Sequence, residues 1–593
     1  MTPYGGILSL LAALSVPANA QEPAAACPAG LISVIFVDNH SVFDTDEFGD
    51  ERRLRWAYDL ANILHVRTKE AFIRAELLVR EGDCYDALRL AESGRLLREY
   101  SFISRADVFG LRQSDGSWHV VVDTTDEWTT EANVRVNFEE GVEFRGADLT
   151  EENLFGRGVT LGGFLRSRDD QRDIGGSVGT PRLLGTRLDG FISAGTTRVG
   201  GFFRDQILYP FVGEIGRYAG RQQYSRREDR FTYWTSSGTA VLLPVDREVF
   251  DVTLAGRLGE PGLTILGLGL SRESLSFPGY PNSVELATSG DFGETEPADP
   301  ETAALLASQT RFADVTRLNL LVGRRNIRFT RRGGLDALSG VEDVAVGLDV
   351  GLTVGFAVGG SSPKGKGVND LYTRLQLFGG GEAGPLFVNL KGRIEGRQIL
   401  GNSAEGDGWR DVIAEVDGLL YIQPDSWARH TFFARASGSG GWHLGLPFQL
   451  TLGGPEGVRG YREERFPGAH RLVFTLEDRI LISWPAPNLF DFGFTLLADV
   501  GRTWAGDVPF GVDSGWRGAV GAGLRIGFPA GTRGIIRIDL AAPVDGARAW
   551  SPLLRISLLD LLGLTRILHD RQVERSRLSS IGPDFFTNPS PIF

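Results

Sequence analysis

Three stretches of this sequence hold residue types whose spacing suggests chemistry. Gly175-Gly176-Ser177-Val178-Gly179 has the G-x-S-x-G form of a nucleophile elbow. That motif needs a sharp strand-to-helix turn with histidine and acid partners, whereas here it sits in a glycine-rich strand pattern with no helix after it. Residues 360–367, GSSPKGKG, approach a phosphate loop, but Gly367 stands where Ser or Thr must hold magnesium, so a turn is the simpler reading. The seven histidines are scattered without ligand spacing. No catalytic residue, metal or cofactor is expected, and the chain is not read as an enzyme. The third stretch is LTLGGPEGVRGYREERF, residues 450–466, with Arg459 framed by Gly457 and Gly460. Its glycines permit a sharply folded path. An arginine delivered into an interior would need a carboxylate partner with bidentate geometry. The plainer alternative is a solvated loop arginine.

What surrounds that loop decides between the two. Residues 490–500 place Phe490, Phe492, Phe494, Leu496, Ala498 and Val500 on one side, and Asp491, Gly493, Thr495, Leu497 and Asp499 on the other. Residues 516–528 and 533–542 alternate in the same way, with arginine, glycine and aspartate crowding one face. A wet lumen accepts those residues and a dry core does not. The connections alternate short and long: 484–488, then 503–515, then 529–532. Only closed barrels let strands cross lipid with every backbone group satisfied. The expected fold is an all-β transmembrane barrel of about 16 antiparallel strands over residues 134–560. The first strand is placed at about 134–147 and the closing one at 552–559. Glu477, Asp499 and Asp539 are then inward-facing candidates for Arg459, and the acidic, proline-rich 277–312 is a long external loop. Asp478 falls on the lipid face, an acid to be explained by the interface or a bulge.

Residues 31–130 have another texture. The pattern is β-α-α-β-β: a strand at 31–37, helices opened by Thr68 and Asp86, then strands at 101–108 and 118–123 split by a turn at 113–116. A small three-stranded sheet packed on two helices is expected. Residues 1–20 read as a secretory signal ending in Ala18-Asn19-Ala20, although MTPYGG lacks a basic residue, and 21–30 as a linker. Export would bring Cys27 and Cys84 into an oxidising compartment, where a disulfide is one reading and two unpaired thiols the plainer one. Residues 561–593 are read as a polar, helix-like tail on the periplasmic side. The net charge of −13 argues against a nucleic-acid partner. A mean hydropathy of −0.08, with no run of 18 apolar residues, argues against helical spans.

LGGPEGVRGY, then Thr475-Leu476-Glu477-Asp478-Arg479, LLADVGRTW and GAGLRIGFPAGTRGIIRIDLAAPV resemble the C-terminal half of the BamA/TamA-type outer-membrane assembly superfamily. Residues 151–158, EENLFGRG, resemble that family's first barrel hairpin, and residues 67–86 a POTRA module. The resemblance implies a sixth external loop folded into the lumen. There Arg459 meets Asp499, Tyr461 packs beside the pair and Glu477 supports it. It implies a Gram-negative outer-membrane protein with its POTRA-like domain in the periplasm. Its partners would be the lipid bilayer, extended polypeptide clients and periplasmic accessory proteins. It would insert or translocate polypeptides through a lateral seam and the lumen. Room for a single POTRA module points to a specialised branch. A passive diffusion channel is the alternative.

Overall fold

A computed structural model describes residues 27–42, 65–137, 143–168, 171–259, 264–287, 294–360, 369–400, 408–427, 429–454, 456–482, 490–544, 552–559 and 570–577. The signal segment 1–20 and residues 361–367 of the phosphate-loop-like stretch lie outside these.

The small N-terminal domain has the expected element order. β1 (Ile32–His40), α1 (Glu70–Glu76), α2 (Ala87–Arg98), β2 (Ile103–Arg112) and β3 (Trp118–Asp126) build a sheet of order β1-β3-β2. β3 runs parallel to β1 and antiparallel to β2. Asp86 caps α2 by accepting the N–H groups of Leu88 and Arg89. Leu90 and Leu97 of that helix join Phe72, Ile73, Ile35, Ile103, Val120 and Val122 in one core. Thr68 is not a helix cap: Lys69 occupies the N-cap position without a side-chain bond. Instead the Thr68 N–H donates to Asp126 and its hydroxyl accepts from Asn153, so it belongs to the joint with the barrel. Cys27 and Cys84 are joined as a disulfide, which ties the start of the described chain to the turn before α2.

The rest forms one closed antiparallel ring. Its hydrogen-bonded order runs through 22 strands, two of which, Glu285–Ala287 and Thr295–Pro297, are a short hairpin in the long connection after Thr264–Ser276. Twenty strands therefore make the wall among the described residues, where about 16 were expected. Strands are hardest to tell from turns in the first third of the ring. Strands there, such as Gln171–Thr180, Asp189–Thr196 and Gly201–Tyr209, are 8 to 10 residues long. The Gly, Asp and Arg that fill them are also turn-forming types, so strand and turn read alike. The first strand is Thr130–Asn137, and Ala147 belongs to the second, Glu143–Leu154, which pairs back onto the first. The last strand, Leu553–Leu559, closes the ring against the first.

The wall alternates as a membrane barrel requires. Leu496, Val500, Val520, Leu524 and Leu540 are exposed on the outside, while Thr495, Asp499, Arg525 and Asp539 are buried within. Asp478 needs no bulge: it faces outward and pairs with His430 of the neighbouring strand at 2.9 Å.

The small domain lies across one mouth of the ring. The Lys69 N–H donates to Gly156 O (2.8 Å), Arg182 meets Glu76 (2.5 Å) and the Glu214 N–H donates to Glu92 (2.6 Å). Arg98 grips both oxygens of Asp343 (2.6 and 3.0 Å), and Arg533 donates to the carbonyls of Tyr100 and Ile103. These contacts come from turns spread round the ring. On the same side the turn 334–340 folds inward, burying Leu335 and Ala337, and Glu342 accepts the N–H groups of Leu335, Asp336 and Ala337. Arg98→Ala should speed limited proteolysis between the small domain and the barrel while leaving the barrel's heat-modifiable mobility unchanged. Equal proteolysis of variant and parent would show that this ion pair does not hold the domain.

Candidate functional site in the barrel lumen

The connection between the strands His430–Trp442 and His470–Ile482 does not run over the surface. Leu450–Thr451 pairs with Pro467–Gly468, which closes the base of the loop. Within it the Leu452 N–H donates to Arg465 O and the Val458 N–H to Leu452 O. Leu452 and Val458 are fully buried against Val473 and Ala519 of the wall. Glycine is required at several positions here, Gly457 and Gly460 among them. A Cβ on Gly457 would stand 1.8 Å from Leu452 O, and Gly460 has φ of +94° with Ala541 O 3.3 Å from a would-be Cβ.

This path carries Arg459 inward. Its Nε donates to Asp499 Oδ2 and its Nη2 to Asp499 Oδ1, both at 2.7 Å, a bidentate fork. The Arg459 backbone N–H donates to the same carboxylate at 3.1 Å. Nη1 donates to Glu477 at 2.7 Å and lies 3.5 Å from Asp539. Alternation puts these acids on inward faces of three strands: Glu477 on His470–Ile482, Asp499 on Asp491–Trp504 and Asp539 on Ile535–Pro543. One arginine cannot balance three acids, and two more arginines complete the cluster. Arg537 donates to Asp539 (2.7 Å) and Glu477 (2.6 Å), and Arg479 donates to Glu477 (2.8 Å). Arg479 also reaches Asp336 (2.9 Å) and Leu335 O (2.7 Å) in the inward turn, with its guanidinium 3.9 Å from the Phe433 ring centroid. Three acids and three arginines are thus paired in low dielectric, where each needs the others.

Arg459, Asp499 and Glu477 are brought together, and Gly460 shapes the approach. Tyr461 is next to the cluster rather than in it: its ring packs with Leu452, Val458 and Phe466, and its hydroxyl donates to Gly518 O at 3.4 Å. Sequence reasoning named Asp539 only as an inward candidate and missed Arg479, Arg537 and Asp336. Arginine and acid two apart on one face, as in Glu477 and Arg479 or Arg537 and Asp539, was the available signal. Ser177 of the serine motif is buried within the strand Gln171–Thr180, opposite Gly162 and Ser193.

The arrangement can hold a connecting loop inside a barrel by charge, and it can release that loop if the charges are rehydrated. The chain is similar in structure to BamA and to CdiB. BamA from Haemophilus ducreyi lacking POTRA domains 1–3 aligns at 13% identity and a TM-score of 0.36, covering 88% of this chain and 85% of that one. CdiB from Acinetobacter baumannii aligns at 12% and 0.38 over 89% and 73%, and CdiB from Escherichia coli at 12% and 0.37 over 91% and 92%. No family model and no curated protein matches the chain.

Arg459→Ala and Asp499→Ala should each destabilise the protein by about 3–5 kcal/mol, because each leaves buried charges unpaired. The heat-modifiable shift on gels should move to lower temperature, with Arg459→Lys in between because it keeps the charge and loses the fork. Unchanged unfolding of both alanine variants would show that the cluster does not hold the loop.

Proposed function

We infer that this protein is an outer-membrane barrel of the BamA/TamA type that inserts or translocates polypeptides. The observation carrying this reading is the Val-Arg-Gly-Tyr loop turned into the lumen with Arg459 forked onto Asp499. A solvated surface loop would not need that pairing, and the sequence resemblance anticipates it. The small domain acts as a POTRA-like module on the periplasmic side after export directed by residues 1–20. β2 is an edge strand of its sheet, with Phe109 and Leu111 exposed, and an extended client adds to such an edge through backbone pairing. The seam between Thr130–Asn137 and Leu553–Leu559 joins strands of only 8 and 7 residues, against 21 for Ala313–Gly333. Strands this short can form only a short ladder, and the seam is where the ends of the wall meet, so it is the place for the wall to part and offer an edge to a client strand. No fuel or cofactor enters; strand pairing and membrane burial drive the reaction, and periplasmic accessory proteins deliver the clients. A passive diffusion channel would want an open lumen, and here loop and turn stand in it.

Depletion of the protein followed by an outer-membrane and secreted proteome should show loss of a particular set of barrels or exported proteins. An unchanged proteome with altered uptake of small solutes would overturn the reading.

A further inference from the structure

Residues 570–577, Asp-Arg-Gln-Val-Glu-Arg-Ser-Arg, follow the last strand and were expected outside the barrel. They lie inside it. Asp570 caps a single helical turn, Arg571–Glu574, by accepting the N–H groups of Gln572 and Val573. Three charged side chains of the segment meet their opposites on the wall. Asp570 accepts from Arg471 (2.5 Å) and Ser439 (2.8 Å). Glu574 accepts from Arg393 (2.6 Å). Arg577 donates to Glu395 (2.6 Å) and to Glu415, with its side chain 4% exposed. Val573, fully buried, is the apolar knob, set among Ile413, Phe448, Leu450 and Val508. On another part of the ring, Arg247 donates to Arg575 O and the Arg575 guanidinium lies 5.6 Å from the Phe231 ring centroid. The segment therefore reaches wall strands that stand well apart.

It also touches the loop. Gln572 accepts from the Thr451 N–H (2.8 Å) and from Arg471 (2.9 Å), and donates to the Thr451 hydroxyl (2.7 Å). Thr451 belongs to the hairpin base that carries Arg459 inward.

We propose that residues 570–577 are a resident plug of the lumen, an autoinhibitory segment that must leave its Glu395–Glu415–Arg393–Arg471 seat before the lumen becomes a passage. The chemistry suits reversible occupancy. Most of its hold is buried ion pairs and hydrogen bonds, whose desolvation offsets much of their attraction, and the apolar contact given up is that of one valine with the wall. The wall charges left behind balance in pairs, Glu395 and Glu415 against Arg393 and Arg471, so the vacated seat is a hydrated, near-neutral surface. This rests on the lumen being a passage and is indifferent to whether the passenger is a polypeptide, so it fails separately from the reading above.

Planar-bilayer conductance tests it. The full chain should be closed most of the time. A chain ended after Ile567, and full-length Arg577→Glu, which sets a carboxylate against Glu395 and Glu415, should each show a several-fold rise in open time. Both are checked for folding by heat-modifiable mobility. Conductance equal to the parent in folded variants would overturn the plug. If neither variant folds, Ser439→Cys with Asp570→Cys decides within one protein, with the parent under the same reductant as control. Oxidation should abolish openings and reduction restore them; equal conductance in the two states would overturn the proposal.

Discussion

One buried guanidinium organises the interior. Arg459 enters from a glycine-framed connection at one mouth of the ring, and a charge taken into a barrel must be met by carboxylates with good geometry. Asp499, Glu477 and Asp539 supply them from three strands. Those acids exceed one arginine, so Arg479 and Arg537 are needed as well, and Arg479 in turn fixes Asp336 in the turn that folds in from the opposite mouth. A constraint that begins outside the barrel thus reaches its other end through ion pairs alone. The ring could close around other contents, but not around this loop without these partners.

The parts legible in the sequence were those with local periodicity. Alternation over residues 490–500 and 533–542 pointed Asp499 and Asp539 inward, and Asp86 opened a helix as its type suggests. The family resemblance supplied the reason for Arg459 to reach Asp499. The strand number was not legible, because Gly, Asp and Arg serve a wet-faced strand and a turn equally well between residues 159 and 209. The seat of residues 570–577 was not legible either. A polar run such as DRQVERSR reads as solvated, and its partners Arg393, Glu395, Glu415 and Arg471 lie 99 to 182 positions away. Thr68 misled for a related reason: a threonine at the start of a helical pattern is cheaply read as a cap, yet its hydroxyl is used by Asn153 of the barrel.

The resting molecule is closed in layers. The small domain spans one mouth, the turn 334–340 sits behind it, and the loop and residues 570–577 fill the lumen above. These layers are polar where they meet. Buried ion pairs give back much of their attraction in desolvation, whereas an apolar plug of the same size would be held by the area it buries. The two strands that meet at the closure of the wall, Thr130–Asn137 and Leu553–Leu559, are 8 and 7 residues long, among the shortest in the ring. On the function proposed above, an occupied lumen and short strands at the seam fit lateral handling of a strand better than open diffusion.

That claim is tested most directly by a photo-activated cross-linking residue placed at Leu554 on the seam, with Leu320 on a long wall strand as the comparison; both side chains face outward. Irradiation in cells should trap polypeptides in transit at position 554 and none at 320. Equal trapping at the two positions, or none at 554 in cells actively exporting protein, would contradict a lateral seam.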